Sequence, residues 1–226
     1  AYSCMPMFFW PAPFIPNRKV IIDVNDELAE DAKNKLGFDE SSSDWEEVVN
    51  RKDIDVVDIC TPNDTHPKMA IAAAKAGKHI ICEKPLARNA AEAKEMYDAV
   101  KDSNIIHMVA FNYRRTPAVA LAKKFIDDNK IGNILNFRGT YLQDWPADPN
   151  GPLSWRFQKE IAGSGTLGDI GTHVVDFGRY LVGEISRFYK LENDLKNFVA
   201  ALSKNTKGKA ILLVSEILYI TLCSAK

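Results

Sequence analysis

Short apolar segments alternate with helical patterns along the first half of the sequence, and this alternation constrains the fold more than any other feature. Strands are predicted at Lys19–Val24, Asp53–Thr61, Lys78–Cys82 and Ile105–Ala110. Helices are predicted between them, at Asp26–Leu36, Pro67–Ala76 and Ala90–Lys101. The strands are nearly continuous in apolar residues, which is typical of strands that helices cover on both faces. The pattern therefore predicts an α/β fold with a parallel, doubly wound sheet of right-handed βαβ units.

This regular pattern ends at Arg115, where we place a domain boundary. The sequence beyond it predicts a helix at Pro117–Asp128, a strand-like run at Ile134–Leu142, a polar loop and a helix near Gly171–Leu181. Residues 1–115 are therefore predicted to form the parallel-sheet domain, and residues 116–226 a second domain of a different kind.

The composition excludes several classes of protein. Lys and Arg number 29 against 30 Asp and Glu, so no basic surplus indicates binding to nucleic acid. No apolar stretch reaches the ~20 residues that a membrane-spanning helix requires, and no polybasic run suggests a membrane surface. The four cysteines include no C-x-x-C pair, which favours a reducing cytoplasm over a disulfide-linked or zinc-stabilised domain.

The residues that follow each strand are the first candidates for a binding site, because ligands of parallel sheets bind beyond the carboxyl ends of the strands. They are Asp23, Thr61-Pro62-Asn63, Glu83-Lys84-Pro85 and Asn112-Tyr113-Arg114-Arg115. Asp23 suits an adenosine ribose, although an ordinary strand-end carboxylate remains an equal alternative. The polar loop from Thr61 to His66 leads into a helix whose N–H groups attract phosphate or carbonyl oxygens, while Asp64 or Thr65 is expected to cap that helix.

Two further groups suggest proton transfer to or from a hydroxyl. Lys84 lies at the ligand-binding edge of the sheet, where the alternative is a surface ion pair. Asp169 and His173 are four residues apart on one predicted helical face, where the alternative is a helix cap beside an incidental histidine. A metal site of Asp169, His173 and Asp176 is a competing use, but Asp176 lies further round the helix, so no metal is predicted.

Glycines give a mixed signal. No G-x-G-x-x-G motif precedes Asp23, so either such a motif lies before Ala1 or the site does not bind a dinucleotide. A literal match occurs at Gly163–Gly168, but no buried strand leads into it, and we do not interpret it as a nucleotide loop. The glycines at 163, 165, 168 and 171 nevertheless predict a close approach to a ligand. A further set of polar and aromatic residues suits a sugar-like ligand or, equally, a domain interface: Arg114, Arg115, Arg156, Trp145 and Trp155.

Taken together, these motifs resemble the glucose–fructose oxidoreductase / inositol dehydrogenase (Gfo/Idh/MocA) family. The resemblance extends from about Val20 to Ile185 and includes three runs: DVVDICTPNDTHPKMAIAAAKAGKHIICEKPLARNAAEAKEM, FNYRR and SWRFQKEIAGSGTLGDIGTHVVDFGRYLVGEI. The two motifs E-K-P and G-x-x-x-D-x-G-x-H occur in the same order as in the family, and together they are specific.

The resemblance implies an N-terminal Rossmann domain and a C-terminal α+β domain with an open, mostly antiparallel sheet that mediates homodimer or homotetramer contacts. It implies oxidation of a secondary hydroxyl of a sugar or cyclic polyol, by hydride transfer to NAD or NADP. A non-catalytic NAD-binding member and a metal-dependent lyase or hydrolase are the alternatives. The family also has a glycine-rich loop before the position of Asp23 and most of its sheet after the position of Ile185, and we expect both to be missing from these 226 residues.

The resemblance also implies roles for individual residues. Lys84 is the expected catalytic lysine, His173 the acid/base, and Asp169 the group that orients His173 or the substrate. The cofactor-binding residues are Asp23, Thr61, Pro62, Asn63, His66, Glu83, Lys84, Asn112 and Arg114. Asp23 would repel a 2′-phosphate, which favours NAD, while Arg18 and Lys19 leave NADP open. The Lys84–Pro85 bond can be cis, because proline lowers the cost of that isomer.

Overall fold

A computed structural model describes residues 16–144, 151–185 and 221–222, which belong to two compact units. The first unit contains the described residues up to Phe111 together with Gln158–Gly163. The second contains the described residues of Asn112–Phe157 and those from Ser164 onwards. The chain thus changes unit slightly before Arg115, and it returns briefly to the first unit.

The first unit contains five short strands, which are β1 (Val20–Ile22), β2 (Glu40–Ser42), β3 (Val56–Ile59), β4 (His79–Cys82) and β5 (His107–Val109). β1 pairs with β2, while β3, β4 and β5 form a three-stranded sheet in that order. Every one of these pairings is parallel. The predicted α/β class with parallel strands is therefore confirmed.

The helices of the first half are α1 (Asp26–Leu36), α2 (Trp45–Val49), α3 (His66–Lys75) and α4 (Ala90–Val100). α1 has the predicted bounds, because Asn25 accepts a hydrogen bond from the Leu28 N–H and Gly37 ends the helix at a φ of 70°. β2 and α2 were not predicted from the sequence. β2 is the polar tripeptide Glu-Ser-Ser, which becomes a strand by pairing with β1, and α2 is only five residues long.

The core of the first unit consists of small and branched side chains between the three-stranded sheet and α3 and α4. It is formed by Val49, Ile59, Ala70, Ala73, Ile80, Cys82, Met96 and Val100. Ala70 and Ala73 give α3 a buried face with short side chains, so this helix can lie close to the sheet. Burial raises the pKa of the Cys82 thiol to about 12.

The remaining elements are α5 (Pro117–Asp127), β6 (Phe137–Arg138), α6 (Lys159–Ala162), α7 (Thr172–Leu181) and β7 (Thr221–Leu222). All but α6 belong to the second unit, where β6 and β7 pair antiparallel. The strand predicted at Ile134–Leu142 is thus limited to two residues. α7 begins close to its predicted start and follows a π-helical turn at Leu167–Gly171. Within the described ranges, no helix has the length and apolar character needed to cross a membrane.

Candidate functional site

Asp23 lies at the carboxyl end of β1, as predicted, and is exposed. Its Oδ1 accepts a hydrogen bond from the Val24 N–H at 2.7 Å. The two cations that precede β1 have other partners: Arg18 Nη1 donates to Leu36 O at 2.6 Å, and Lys19 Nζ lies 2.8 Å from Glu40 Oε1. The carboxylate therefore occupies a position suited to hydroxyl donors, and the structure pairs neither cation with it.

The loop after β3 is held by its own polar groups. The Thr65 hydroxyl donates to Pro62 O at 2.7 Å and lies 2.5 Å from the Thr61 hydroxyl. Thr65 is the N-cap residue of α3, but no side-chain hydrogen bond caps the helix. The predicted capping by Asp64 or Thr65 is therefore wrong, because the Thr65 hydroxyl is engaged within the loop.

Two residues of this loop, Asn63 and His66, are buried in the first unit. Asn63 Nδ2 donates to Ala162 O at 3.0 Å. His66 is 0% exposed, and its Nε2 lies 2.9 Å from Thr61 O. Both residues lie in the loop that was predicted to line the cofactor, but their side chains contact protein backbone, and the His66 side chain offers no exposed surface.

The E-K-P motif follows β4 directly, and the Lys84–Pro85 bond is cis. The Glu83 N–H donates to Ile59 O at 2.9 Å, which extends the β3–β4 ladder by one bond. Glu83 Oε2 accepts from the Lys84 N–H at 3.1 Å. Lys84 thus follows directly after the last bond of the ladder, and its side chain is half-buried.

Gln158–Gly163 is the segment that returns to the first unit, and three residues explain how it is held there. Asn63 binds Ala162 O, and Arg88 Nη1 donates to Glu160 O at 2.7 Å. Gly163 has a φ of +82°, and a Cβ at this position would lie 2.7 Å from Arg88 O. We predicted that the glycine cluster approaches a ligand, but Gly163 approaches the backbone of Arg88.

His173 lies in the first turn of α7 and is buried. The Tyr113 ring packs against its imidazole, with the ring centroids 4.4 Å apart, and the Tyr141 ring is 6.0 Å away. The two tyrosine hydroxyls are 2.6 Å apart, and Gln143 Nε2 donates to the Tyr141 hydroxyl at 2.8 Å. The hydrogen bond to Tyr141, together with burial, raises the pKa of Tyr113 to about 12.

Tyr141 and Gln143 were not among the predicted site residues, and Tyr113 was named only as one of the residues that follow a strand. A signal was present, because Phe137, Gly139, Tyr141 and Gln143 alternate and so fall on one side of an extended segment. Gly139 brings this segment to α7, since a Cβ there would lie 2.5 Å from Val174 Cγ1.

Arg114 forms a bidentate ion pair with Asp176, within the second unit. Arg114 Nε lies 3.0 and 2.8 Å from the two carboxylate oxygens, and Nη2 also contacts Oδ1. Asp176 is 5% exposed, so the guanidinium is its charge partner in a buried position. The alternative metal set that included Asp176 is thus not assembled, and the described residues hold no cluster of three metal-ligating side chains. Asn112, the neighbouring candidate, is exposed.

Asp169 lies in the π-helical turn before α7, so the regular spacing assumed between it and His173 does not hold. Its Oδ2 is 3.7 Å from Arg156 Nε, and the Arg156 guanidinium stacks over the Trp155 ring at 4.5 Å. These three predicted site residues are thus brought together. Trp145 lies outside the described residues.

Comparison with known proteins gives one family for both halves of the chain. A family model described as "Oxidoreductase family, NAD-binding Rossmann fold" matches residues 17–111, and the GFO/IDH/MocA C-terminal domain matches residues 119–197.

Among curated proteins, levoglucosan dehydrogenase of Pseudarthrobacter phenanthrenivorans is 70% identical over 82% of this chain and 48% of its own length. The scyllo-inositol 2-dehydrogenase (NAD(+)) of Bacillus subtilis is 37% identical over 75% of the chain and 48% of its own length. A solved structure of levoglucosan dehydrogenase in complex with NADH and levoglucosan has a TM-score of 0.77 at 68% identity, over 82% of this chain and 50% of that one. The chain spans about half the length of the curated relatives that it matches.

Proposed function

On the premise that this chain belongs to the Gfo/Idh/MocA family of oxidoreductases, we propose that it is part of an NAD-dependent dehydrogenase that oxidises a secondary hydroxyl of a sugar. The observation that carries the proposal is the 70% identity to levoglucosan dehydrogenase over 82% of the chain. Levoglucosan, an anhydrosugar whose free hydroxyls are all secondary, is therefore the first candidate substrate. Cyclic polyols such as inositols are the second.

The residues present fit an NAD cofactor. Asp23 is exposed at a strand end and suits the hydroxyls of the adenosine ribose, and Glu83, at the end of β4, suits the nicotinamide ribose. Arg18 and Lys19, the cations that left NADP open, are bound to Leu36 O and Glu40, which supports NAD. NAD, when bound, accepts the hydrogen and the electron pair that the substrate carbon loses.

The chain's own groups would manage the proton of the substrate hydroxyl. We assign its removal to the His173 imidazole, which the Tyr113 ring holds on one side. The Lys84 ammonium would donate to the substrate oxygen and stabilise the negative charge that develops as the proton leaves. Asp169 would orient His173 or the substrate, and Trp155, Arg156 and Trp145 are the proposed sugar contacts.

The decisive experiment compares Lys84→Met with the unmodified chain on levoglucosan, L-sorbose and a panel of inositols. We expect turnover to fall by ~10²-fold or more, because Met cannot donate to the substrate oxygen, while NADH binding stays within a few-fold. Lys94→Met is the matched control, since Lys94 is an exposed lysine paired with Asp98 on α4. Full turnover in Lys84→Met would exclude the assigned role, and NADH binding without turnover of any substrate would indicate a non-catalytic NAD-binding protein.

We also propose that the enzyme is a homodimer or homotetramer of the cytoplasm. Cys60 and Cys82 are free thiols, which supports a reducing compartment. On α5, Leu121 and Phe125 are 52% and 40% exposed, which supports further burial of this helix in an assembly. Light scattering on the purified protein measures the number of subunits.

A further inference from the structure

The His66 imidazole is buried between two loops of the first unit. Its Nε2 lies 2.9 Å from Thr61 O, in the loop after β3. Its Nδ1 lies 3.1 Å from Pro85 O and 3.3 Å from Leu86 O, in the loop after β4. Its exposed fraction is 0%, so it presents no surface to a ligand.

All three partners of His66 are carbonyl oxygens, which accept hydrogen bonds and cannot donate them. One ring nitrogen is directed at each loop, and the single N–H of a neutral imidazole, when it lies on Nδ1, donates to Pro85 O and Leu86 O. A ring with nitrogens at two separate edges fits this arrangement, whereas a carboxylate would place oxygen against oxygen. The residue type thus suits a position between two loops, with one ring nitrogen against the carbonyls of each.

The position of this ring matters because the β-ladder ends beside it. The last bond between the two strands runs from the Glu83 N–H to Ile59 O, and the chain then continues into Lys84 and Pro85. Beyond that bond the imidazole joins the two loops, and its Nδ1 edge holds the carbonyls of the two residues that follow Lys84.

We propose that His66 is a positioning residue for Lys84. It fixes the backbone from Lys84 to Leu86 through its Nδ1 edge, while the Nε2 contact with Thr61 orients the ring. This role rests on the proposed function of Lys84 in proton management. A displacement of ~1 Å at a reacting group can cost about 10²-fold in rate. We therefore expect turnover to fall measurably when this backbone is no longer held in place.

Two amide substitutions separate the two edges of the ring. The amide nitrogen of Asn falls near the position of Nδ1, and that of Gln falls near Nε2. His66→Asn therefore places a donor at Pro85 O and Leu86 O, and His66→Gln places a donor at Thr61 O. Each variant loses the contact with one of the two loops, so we expect similar falls in the midpoint temperature of thermal unfolding.

We expect kcat to fall by about 10- to 100-fold in His66→Gln and to stay within about threefold in His66→Asn, with KM for NAD little changed in both. A merely structural role would lower kcat equally in two variants of equal stability. Equal losses of kcat, or a larger loss in His66→Asn, would therefore overturn the proposal. If His66→Gln does not fold, His66→Asn decides: retained kcat supports the proposal and a loss of more than about tenfold contradicts it.

Hydrogen exchange of the peptide that contains Glu83–Arg88 gives a readout without substrate. The Lys84 and Leu86 amides should exchange faster in His66→Gln and at the unmodified rate in His66→Asn. Unchanged exchange in His66→Gln would overturn the proposal whatever the activities are. If the unmodified chain oxidises no sugar, the proposed function fails, and exchange alone still decides whether His66 fixes this loop.

Discussion

Each of the two units is stabilised internally by a different kind of contact. Among the buried apolar residues of the described chain, Val174 alone lies in the second unit, and all others lie in the first. The buried positions of the second unit include the polar residues His173 and Asp176, which contact Tyr113 and Arg114. No residue of α5 is buried.

This difference shows how each unit positions its candidate functional groups. In the first unit, Asp23 and Lys84 follow strands whose positions are set by a parallel ladder, and in the case of β4 also by an apolar core. In the second unit, His173 is positioned by packing against the Tyr113 ring, and the Arg114–Asp176 ion pair also joins α7 to the turn at Asn112–Arg115. The first arrangement depends on apolar packing, and the second depends on aromatic contacts and an ion pair.

The largest effect is expected from a cavity in the first unit. Ile59→Ala should lower the free energy of unfolding by about 3 kcal/mol, because Ile59 is 2% exposed and its side chain fills the core. Ile106→Ala is the control, since Ile106 is 71% exposed and should change stability by less than ~0.5 kcal/mol. Urea unfolding measures both. Equal costs for the two variants would show that burial does not hold this unit together.

The second unit should respond to the loss of one charge. Asp176→Asn leaves Arg114 without its anionic partner and should cost about 1–3 kcal/mol, below the range for fully buried pairs because the Arg114 side chain is 37% exposed. Glu184→Gln, which breaks the exposed pair with Arg179, should cost under ~0.5 kcal/mol. Hydrogen exchange of peptides within 167–181 and 56–82 should show faster exchange for Asp176→Asn in the former. Faster exchange confined to residues 56–82 would refute this assignment.

The smallest effects are expected at the two extremes of pH. Hydrogen bonds from Arg51 and Lys19 lower the pKa of Glu40 to about 2. The contribution of the Glu40 carboxylate to the stability of the first unit is therefore lost as the pH falls from 4.5 towards 2. The pKa of Tyr113 is raised to about 12, so the contribution of its neutral hydroxyl to the stability of the second unit is lost as the pH rises from 10 towards 12. Glu40→Gln should flatten the acid limb, and Tyr141→Phe the alkaline limb. Urea midpoints against pH measure both limbs, and a Tyr141→Phe variant with an unchanged alkaline limb would contradict the second assignment.

Elements with local signals were predicted best. α1 was predicted with its final bounds because its cap, its apolar spacing and its terminal glycine all lie within the segment. β2 was missed because three polar residues become a strand only through the neighbouring β1. The predicted strand Ile134–Leu142 was too long, since apolar composition does not show where a pairing partner ends.

The candidate site divides in the same way. The strand-end positions of Asp23 and Lys84 were predicted, because in both segments the apolar run ends at a charged residue. Tyr113 and Tyr141 were missed as neighbours of His173, since 28 residues separate them along the chain and only folding brings their hydroxyls together. The prediction that Gly163 approaches a ligand failed for the same reason, because only the fold brings Gly163 against the backbone of Arg88.

The sequence by itself determined the fold class, the order of the longer helices and of the apolar strands of the first unit, and the positions of Asp23 and Lys84 after their strands, because periodicity and capping act over a few neighbouring residues. Tertiary structure alone decided which polar groups face each other: His66 with the carbonyls on both sides, Asn63 with Ala162, and Arg114 with Asp176. The physical reason is that a buried donor must find an acceptor within about 3 Å, and the fold, not the spacing along the chain, sets which acceptor that is.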